Sequence, residues 1–403
     1  MNAFRRDNPA RGTGMNTGPR NPHLPEVITE IRSKPIYRRF IDFLGAYGIR
    51  RLYDCHAHIS SGREETLPDA PSELVPQQPF TLEDINLLYE ALFRAEGIET
   101  ITVVFDTPLP AYDLSVKNDH LVSRSRAMAS PPAIIPFAVI TPEMTVPQIE
   151  GWVKGGARGF KMTPRTTSPY VKRGVISDIA LSEMLNPEAL RIADRFGLPL
   201  VVHLPQLVVA PRIKPSLKDE LLRIVGTYPR LRIILAHLGQ AQTPSKIEDL
   251  LAWMDRNDLW EHVWMDISAV TIPSVIAAAL REKAHLVFGT DIDFALFERG
   301  RYIMFKIAEG RRVLAHDEEN GNVITALVST NFGAQLRNFA AEQRIELDAP
   351  LIIFQFEAIM GAAEKLGKWG KSPAEIASAL QALFFRNAER LFGEARSRTG
   401  LGD

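Results

Sequence analysis

Two histidines one residue apart, in the stretch DCHAHI, are the first residues of this sequence whose types and spacing suggest chemistry. His56 and His58 follow apolar residues that predict the start of a β-strand, in which side chains at positions i and i+2 point to one face. Two imidazoles side by side on a buried strand can grip one face of a metal ion. The same alternation predicts that Asp54 shares the histidine face and that Cys55 points away from it, toward packing helices.

Further polar residues fall at the ends of later apolar runs. They are Lys161, His203, His237, Asp266 and Asp291. Each histidine taken alone is typical of a satisfied core residue, but a charged Asp or Lys is almost never buried without a partner. Imidazole and carboxylate together form a set of metal ligands. The whole set therefore predicts a metal site, with Asp266 in a structural or ligand-orienting position.

Eight short apolar runs alternate with helical patterns and predict the strands that carry these residues. The first contains DCHAHI, and the others lie at 99–107, 133–141, 158–163, 198–204, 231–239, 262–268 and 285–293. Near-continuous apolar runs are typical of parallel sheets that are buried on both faces. Eight βα units over roughly 240 residues predict an α/β fold of the closed (β/α)8 TIM-barrel type, whose active sites lie at the C-terminal strand ends. A doubly wound open sheet is the alternative.

Helical patterns also flank the barrel. Residues 24–48 predict one helix as an N-terminal extension, and Thr81 predicts a helix start with Asp84 completing a capping box. The part from 294 to 395 reads as mainly helical, comprising the eighth barrel helix and a C-terminal cap. We thus expect a single domain over 23–395, with the barrel strands at about 50–293. A disordered tail at 1–22 and a short tail at 396–403 flank it.

Composition narrows the class of protein. Hydrophobic residues make up 45% and charged residues 24% of the 403 residues, with a formal net charge of −1, as in an ordinary globular enzyme. We expect a small-molecule substrate and neither nucleic acid nor membrane as a partner, because the chain has no basic excess and no apolar run of ~18–20 residues. A single cysteine suits a reducing compartment and predicts a cytoplasmic location. A homodimer is left open.

The ordered strings DCHAHI, GFKM, VVHL, ILAHLG and FGTDID, with RNAERLFG near the C-terminus, resemble the amidohydrolase superfamily. Within it they resemble the amidohydrolase-2 branch of TIM-barrel metal-dependent hydrolases, which includes aminocarboxymuconate-semialdehyde decarboxylase-like enzymes. The resemblance covers about 50–295 and 384–393. It implies one or two divalent metal ions per chain, most readily Zn, with Mn or Fe as alternatives. The ligands that it implies are His56, His58, His203 and Asp291.

The resemblance also implies catalytic roles. Asp291 would accept the proton of the metal-activated water, and His237 would polarise or protonate the substrate or bind a second metal. Lys161 would either be carbamylated and bridge two metals, or remain an ammonium that binds substrate; an ion pair with Asp266 or Asp291 is the plain structural alternative. The string TPR after GFKM replaces the HP often found there, and its Arg165 is a candidate for binding a substrate carboxylate.

Three functions are compatible with this pattern. The first is a metal-dependent hydrolase that attacks an amide, ester or lactone carbonyl of a small molecule. The second is a metal-dependent, non-oxidative decarboxylase of an aromatic or unsaturated carboxylic acid, and the third is a catalytically silent barrel that only binds. Loops at 60–80 and 164–185 and parts of 294–350 are predicted to form the pocket walls.

Overall fold

The computed structural model describes most of the chain. The described ranges are 21–60, 79–109, 112–128, 133–167, 179–204, 215–282, 285–308, 311–315, 323–329 and 334–399. Most of the predicted N-terminal tail, half of the predicted C-terminal tail, and the central parts of the predicted wall loops at 60–80 and 164–185 lie outside these ranges.

The eight predicted barrel strands are present, as nine segments. They are β1 Arg51–Ile59, β2 Glu99–Asp106, β3 Ala133–Pro136, β4 Ala138–Val139, β5 Phe160–Met162, β6 Pro199–Val202, β7 Arg232–Leu235, β8 Val263–Asp266 and β9 Leu286–Val287. Sequential segments pair in parallel from β1 to β3 and from β4 to β9. Phe137 separates β3 from β4, and its N–H still donates to the Val104 carbonyl at 2.8 Å. The two halves therefore act as one strand.

Backbone hydrogen bonds between the first and last strand regions close the ring. The Cys55 N–H donates to the Phe288 carbonyl at 2.8 Å, and the Asp291 N–H donates to the His56 carbonyl at 2.8 Å. A parallel bridge between Ala57 and Ile292 continues this pairing. The TIM-barrel prediction is confirmed, and the open-sheet alternative is wrong.

Two helices, not one, precede the barrel. They are α1 Leu24–Ser33 and α2 Pro35–Ala46. Pro35 lacks an N–H and disfavours helical geometry at the residue before it, and Lys34 is accordingly extended at φ −73° and ψ 130°. The prediction of a single helix was wrong at this proline, while the N-terminal helical extension itself is confirmed.

Helices between the strands pack around the barrel. They are α3 Leu82–Leu92, α4 Leu114–Ala127, α5 Val146–Gly155, α6 Leu181–Met184, α7 Pro187–Phe196, α8 Pro215–Thr227, α9 Pro244–Arg256 and α10 Pro273–Arg281. The predicted capping box of α3 is confirmed, because Thr81 and Asp84 bond reciprocally across the first turn. No helix in the described ranges is both long and apolar enough to cross a membrane.

The part after residue 294 differs from its mainly helical prediction. Its helices are α11 Phe294–Phe297, α12 Ala334–Glu342, α13 Leu351–Lys368, α14 Pro373–Gln381 and α15 Asn387–Thr399, with a π-helical turn at Ala382–Arg386. Before α12 lie three antiparallel strands, β10 Gly300–Ala308, β11 Arg311–Leu314 and β12 Ile324–Ser329, in the order β11-β10-β12. We call these three strands the inserted sheet. Its short apolar run YIMF, rich in aromatic and β-branched residues, is a strand signal that our helical prediction overlooked.

The inserted sheet contacts the loops at the C-terminal end of the barrel. The Tyr302 N–H donates at 2.9 Å to Oγ1 of Thr271, which lies in the loop after β8. The Thr325 hydroxyl donates at 2.7 Å to the backbone carbonyl of Gln242, which lies in the loop after β7. The sheet is thus a wall of the barrel mouth, as predicted for parts of 294–350.

Apolar side chains fill the barrel interior. They are Cys55, Val103, Phe105, Ile135, Phe137, Val139, Val201, Ile234, Trp264 and Val287. Helix α15 closes the opposite end from the mouth with Ala388, Leu391 and Phe392, which join the same cluster. This is the packing role of the RNAERLFG string, in which the Asn387 side chain also donates to the Leu286 carbonyl at 2.8 Å.

A β-bulge in β1 overturns one of our predictions. The register with β2 runs from Asp54 opposite Thr102 to Ala57 opposite Val104, so β1 contains one extra residue. A bulge of this kind shifts the alternation of side chains. Cys55 therefore lies in the interior cluster rather than against the helices, and Asp54 points out to Tyr89 of α3 rather than sharing the histidine face.

Candidate active site

The end of β1 and the segment that follows β9 bring three polar side chains together at the mouth. Asp291 Oδ1 lies 3.2 Å from His58 Nε2 and 3.4 Å from His56 Nε2. All three side chains are buried, and His56 is fully so. Burial alone raises the pKa of Asp291, but the facing histidines, His237 foremost, hold it well below its ordinary value. Asp291 is therefore an ionised acceptor at neutral pH.

Asp266 at the end of β8 orients two of the histidines. Its Oδ2 accepts from His56 Nδ1 at 2.8 Å, and its Oδ1 accepts from the His237 N–H at 2.9 Å. Burial raises the pKa of Asp266, but the interactions with His56, His237 and Ser268 together outweigh burial, and the net shift is downward. Because an ionised carboxylate only accepts, Nδ1 of His56 carries the proton and its Nε2 presents a lone pair to the site, where Lys161 Nζ lies 3.1 Å away. Asp266 thus occupies the predicted ligand-orienting position.

His237 follows β7 in a turn of consecutive left-handed residues. His237 itself has φ 55°, and Leu238 and Gly239 have φ 54° and 60°. Its Nδ1 lies 2.9 Å from the carbonyl oxygen of Ser268 and 2.9 Å from the Ser268 hydroxyl. A carbonyl can only accept, so Nδ1 carries the proton and Nε2 faces the site. Sequence reasoning missed Ser268, whose only signal was its place two residues after Asp266.

His203, beyond β6, completes the group of histidines. Its Nδ1 lies 3.2 Å from His237 Nε2. Burial lowers the pKa of His203 well below its ordinary value, and the charge of His237 adds to this effect. The structure thus places His203 beside His237 and places His58 beside Asp291.

Lys161 on β5 lies in the same interior space. Its Nζ is 3.1 Å from His56 Nε2 and 4.6 Å from the centre of the Phe105 ring. Burial lowers the pKa of Lys161 to about 8, while the nearby Asp266 and Asp291 oppose the shift. In the described part of the chain, the ion pairs of these two carboxylates are made to His56 and His58. The ion-pair alternative for Lys161 is therefore wrong.

Arg165 and Tyr302 form the outer part of the site. Arg165 is exposed on the short 3-10 turn Pro164–Thr166, and its charge lowers the pKa of Lys161. Tyr302 lies on β10, and burial raises the pKa of its hydroxyl. The hydrogen bond with Gln242 lowers this pKa, the charge of Asp291 raises it, and the charge of Arg165 lowers it. Sequence reasoning missed Tyr302 because it treated this part of the chain as helical.

The donor set fits a divalent metal ion. Among the described residues, ligand atoms of His56, His237 and Asp291 lie within 4.8 Å of one another, and all three residues are buried. His58 Nε2 approaches the same Asp291 oxygen. Imidazole nitrogens and a carboxylate oxygen suit Zn and several other divalent ions. The geometry therefore supports a divalent metal, without fixing its identity or the number of ions.

Comparison with protein families gives a match over most of the chain. An amidohydrolase family model matches residues 53–393. No curated protein shows a significant match.

Several solved structures resemble the chain at low sequence identity. A probable 2-pyrone-4,6-dicarboxylic acid hydrolase from Acinetobacter baumannii, with citric acid bound, is 17% identical; the match covers 85% of this chain and 99% of that chain, with a TM-score of 0.45. A 4-oxalomesaconate hydratase from Rhodopseudomonas palustris is 12% identical; the match covers 86% of this chain and 97% of that chain, with a TM-score of 0.46. An amidohydrolase from Burkholderia multivorans with bound Zn is 14% identical; the match covers 85% of this chain and 99% of that chain, with a TM-score of 0.44.

Proposed function

Because the chain belongs to the amidohydrolase family and is an enzyme of that superfamily, we propose that it hydrolyses a small molecule with the aid of a divalent metal. In this proposal, activated water attacks an amide, ester or lactone carbonyl. The observation that carries the proposal is the convergence of His56 and His58 on Asp291 at the C-terminal end of the barrel, which is where barrel enzymes place their chemistry.

We propose that His56, His58, His203 and Asp291 hold the ion. When bound, a divalent ion there supplies Lewis acidity and lowers the pKa of water toward ~7. The Asp291 carboxylate is ionised, and one of its oxygens can accept the proton that water loses. His56 is oriented for this purpose because its Nδ1 is already held by Asp266 at 2.8 Å.

The remaining residues would act on the substrate. His237 presents Nε2 to the site because its Nδ1 is engaged by Ser268, so Nε2 is the atom through which it would exchange a proton or bind a second ion. Lys161 and Arg165 place positive charge at two depths of the mouth. We propose that they bind an anionic group of the substrate.

Decarboxylation of an aromatic or unsaturated carboxylic acid is the second candidate. The observation that favours it is the same pair of cations, because Lys161 is buried among the histidines and Arg165 stands at the exit of the site. Together they could hold a carboxylate against the metal. Hydrolysis remains our first proposal, and the lowered pKa of Asp291 and its position 3.2 Å from His58 Nε2 support a role in accepting a proton from water.

A substrate panel tests the two candidates. The Zn-loaded protein is assayed against esters, lactones and amides with a pH-stat, and against aromatic and unsaturated acids by CO2 release. We expect hydrolysis by the wild type and a loss of at least a hundredfold in kcat for Asp291→Asn, with unchanged circular dichroism. Hydrolysis that survives in Asp291→Asn would overturn the proposal, and CO2 release without any hydrolysis would establish the second candidate.

Metal content per chain, measured by plasma mass spectrometry on protein purified without chelator, tests the role of Lys161. About one ion per chain is expected if His56, His58, His203 and Asp291 form the site and Lys161 remains free for substrate. About two ions would indicate that a carbamylated Lys161 bridges them with His237 as a further ligand. A chain without metal would contradict both arrangements.

A further inference from the structure

Asp291 has a backbone conformation that needs support. Its φ is +63°, in the left-handed region that residues other than glycine seldom adopt. Such a conformation costs free energy and persists only where the surroundings impose it. The groups that hold the segment from Gly289 to Asp291 therefore decide where the Asp291 carboxylate points.

One group that holds this segment is Asp54, on the outer side of the bulge in β1. Its Oδ1 accepts from the Thr290 N–H at 3.0 Å and from the His56 N–H at 3.0 Å. Its Oδ2 accepts from the hydroxyls of Thr290 and of Tyr89 on α3. Asp54 is completely buried, so these bonds are not shared with solvent. One carboxylate thus ties the backbone of His56 to the residue that precedes Asp291.

Gln355, which α13 presents from outside the barrel, is the second group. Its Nε2 donates to the Gly289 carbonyl at 2.7 Å and to the Ile267 carbonyl at 2.9 Å. Its Oε1 is buried and finds no hydrogen-bond partner among the described residues. A buried unpaired carbonyl is destabilising, so the amide is a poor choice for stability alone. Its two bonds to the strand ends give it a positioning role.

Gly289 allows the close approach on which this arrangement depends. A Cβ at this position would lie 2.8 Å from the His56 Cβ and 3.1 Å from the Ser268 Cβ. The last strand can therefore lie directly against the histidine strand only because position 289 has no side chain.

We propose that Asp54, Thr290 and Gln355 form a clamp that fixes Asp291 in its left-handed conformation and thereby sets the affinity of the site for a divalent metal. These are positioning residues, since they act through the backbone of the segment that ends in Asp291. The inference rests on the proposed metal site but not on the reaction that the enzyme catalyses.

The experiment measures the dissociation constant of Zn²⁺ for the metal-free protein, by competition with a chromogenic chelator. Thr290→Val removes the hydroxyl, and Gln355→Met removes both amide bonds at similar volume. Each is expected to weaken Zn²⁺ binding by about 10- to 100-fold, the usual effect of losing an outer partner of a ligand. Thr290→Ser retains the hydroxyl and should bind within about threefold of the wild type.

A matched control separates positioning from general stability. Tyr37 lies on helix α2, and its buried hydroxyl donates to the Leu92 carbonyl at 2.9 Å. Tyr37→Phe removes this hydrogen bond. This variant should lose thermal stability without weaker Zn²⁺ binding. The clamp is refuted if Thr290→Val and Gln355→Met bind Zn²⁺ as the wild type does. Absence of Zn²⁺ binding by the wild type would instead contradict the proposed function.

Discussion

At the scale of single residues, the site depends on which nitrogen of each histidine is already engaged. Asp266 holds Nδ1 of His56, and Ser268 holds Nδ1 of His237, so both rings turn Nε2 toward the mouth. Lys161 lies within the same histidine group, although an ammonium there must do without water. Its lowered pKa is the consequence of this burial.

The shifted pKa of Lys161 predicts a pH-dependent stability. The folded protein holds this proton less tightly than the unfolded chain does, with a pKa of about 8 against an ordinary value of 10.5. Between these two values the unfolded chain binds more protons, so the stability of the metal-free protein rises with pH across this window. The gain due to Lys161 is about 3 kcal/mol, at 1.36 kcal/mol per pKa unit.

Urea denaturation of the metal-free wild type and of Lys161→Met, at pH 7.5 and pH 10, checks this expectation. The stability difference between the two proteins should shift in favour of the wild type as the pH rises. Lys154→Met, at a side chain that is 77% exposed, is the control and should show no such shift. Parallel pH curves for wild type and Lys161→Met would contradict the assigned pKa.

At the scale of elements, the bulge in β1 and the inserted sheet shape the site. The bulge lets Cys55 and both histidines face the interior while Asp54 reaches outward to Tyr89. The inserted sheet brings Tyr302 to the mouth, although it lies far along the chain from the barrel strands.

The inserted sheet can be removed without opening the barrel. The sheet lies with helix α12 in the segment 301–348, and the two ends of this segment are joined, because the Gly300 N–H donates to the Ala349 carbonyl at 3.2 Å and the Leu351 N–H donates to the Glu298 carbonyl at 2.9 Å. Replacing residues 301–348 by a short Gly-Ser linker should therefore leave the fold and the metal content intact. Loss of the Tyr302 wall should lower kcat/KM by about 10- to 100-fold, equivalent to about 1.4–2.7 kcal/mol of lost transition-state binding.

Steady-state kinetics on the substrate found in the panel, with metal content measured in parallel, checks this prediction. Tyr302→Phe removes only the hydroxyl and should produce a smaller loss than the deletion. An unchanged kcat/KM in the deletion variant would mean that the inserted sheet takes no part in substrate binding.

At the scale of the whole molecule, the two ends of the barrel have separate tasks. The C-terminal strand ends carry the polar site, and the opposite end is closed by helix α15. Phe392 is buried there and stacks with Tyr53 at 6.3 Å between ring centres. This end contributes to stability without touching the chemistry.

Phe392→Ala should therefore destabilise the protein but leave the site intact. Truncating a buried Phe costs about 3–5 kcal/mol, because both the buried surface and the packing are lost. Urea denaturation should show this loss, while the Zn content of the folded protein stays at the wild-type value. Phe297→Ala, at a side chain that is 36% exposed, should cost clearly less. A loss of metal from folded Phe392→Ala would contradict the separation of the two ends.

The sequence by itself determined the barrel, its strand order and the residues at the strand ends. Apolar runs, capping residues and the ordered His, Lys and Asp strings are local signals, and each is found in the structure, although the strand predicted at 231–239 shortens to Arg232–Leu235 and the strand predicted at 285–293 to Leu286–Val287. The family that these strings resemble is the one whose model matches residues 53–393. The sequence could therefore predict that these side chains lie at one end of the fold, because parallel strands bring their C-terminal ends to one place.

The tertiary structure alone decided which side chains touch. The bulge that turns Cys55 inward, the left-handed backbone of Asp291 and the bonds from Gln355 to two strand ends all depend on partners far away in sequence. An alternating strand pattern or a single aspartate does not reveal such partners. Local patterns fix elements because their forces act within a few residues, whereas side-chain orientation at a site is fixed by long-range packing and hydrogen bonds.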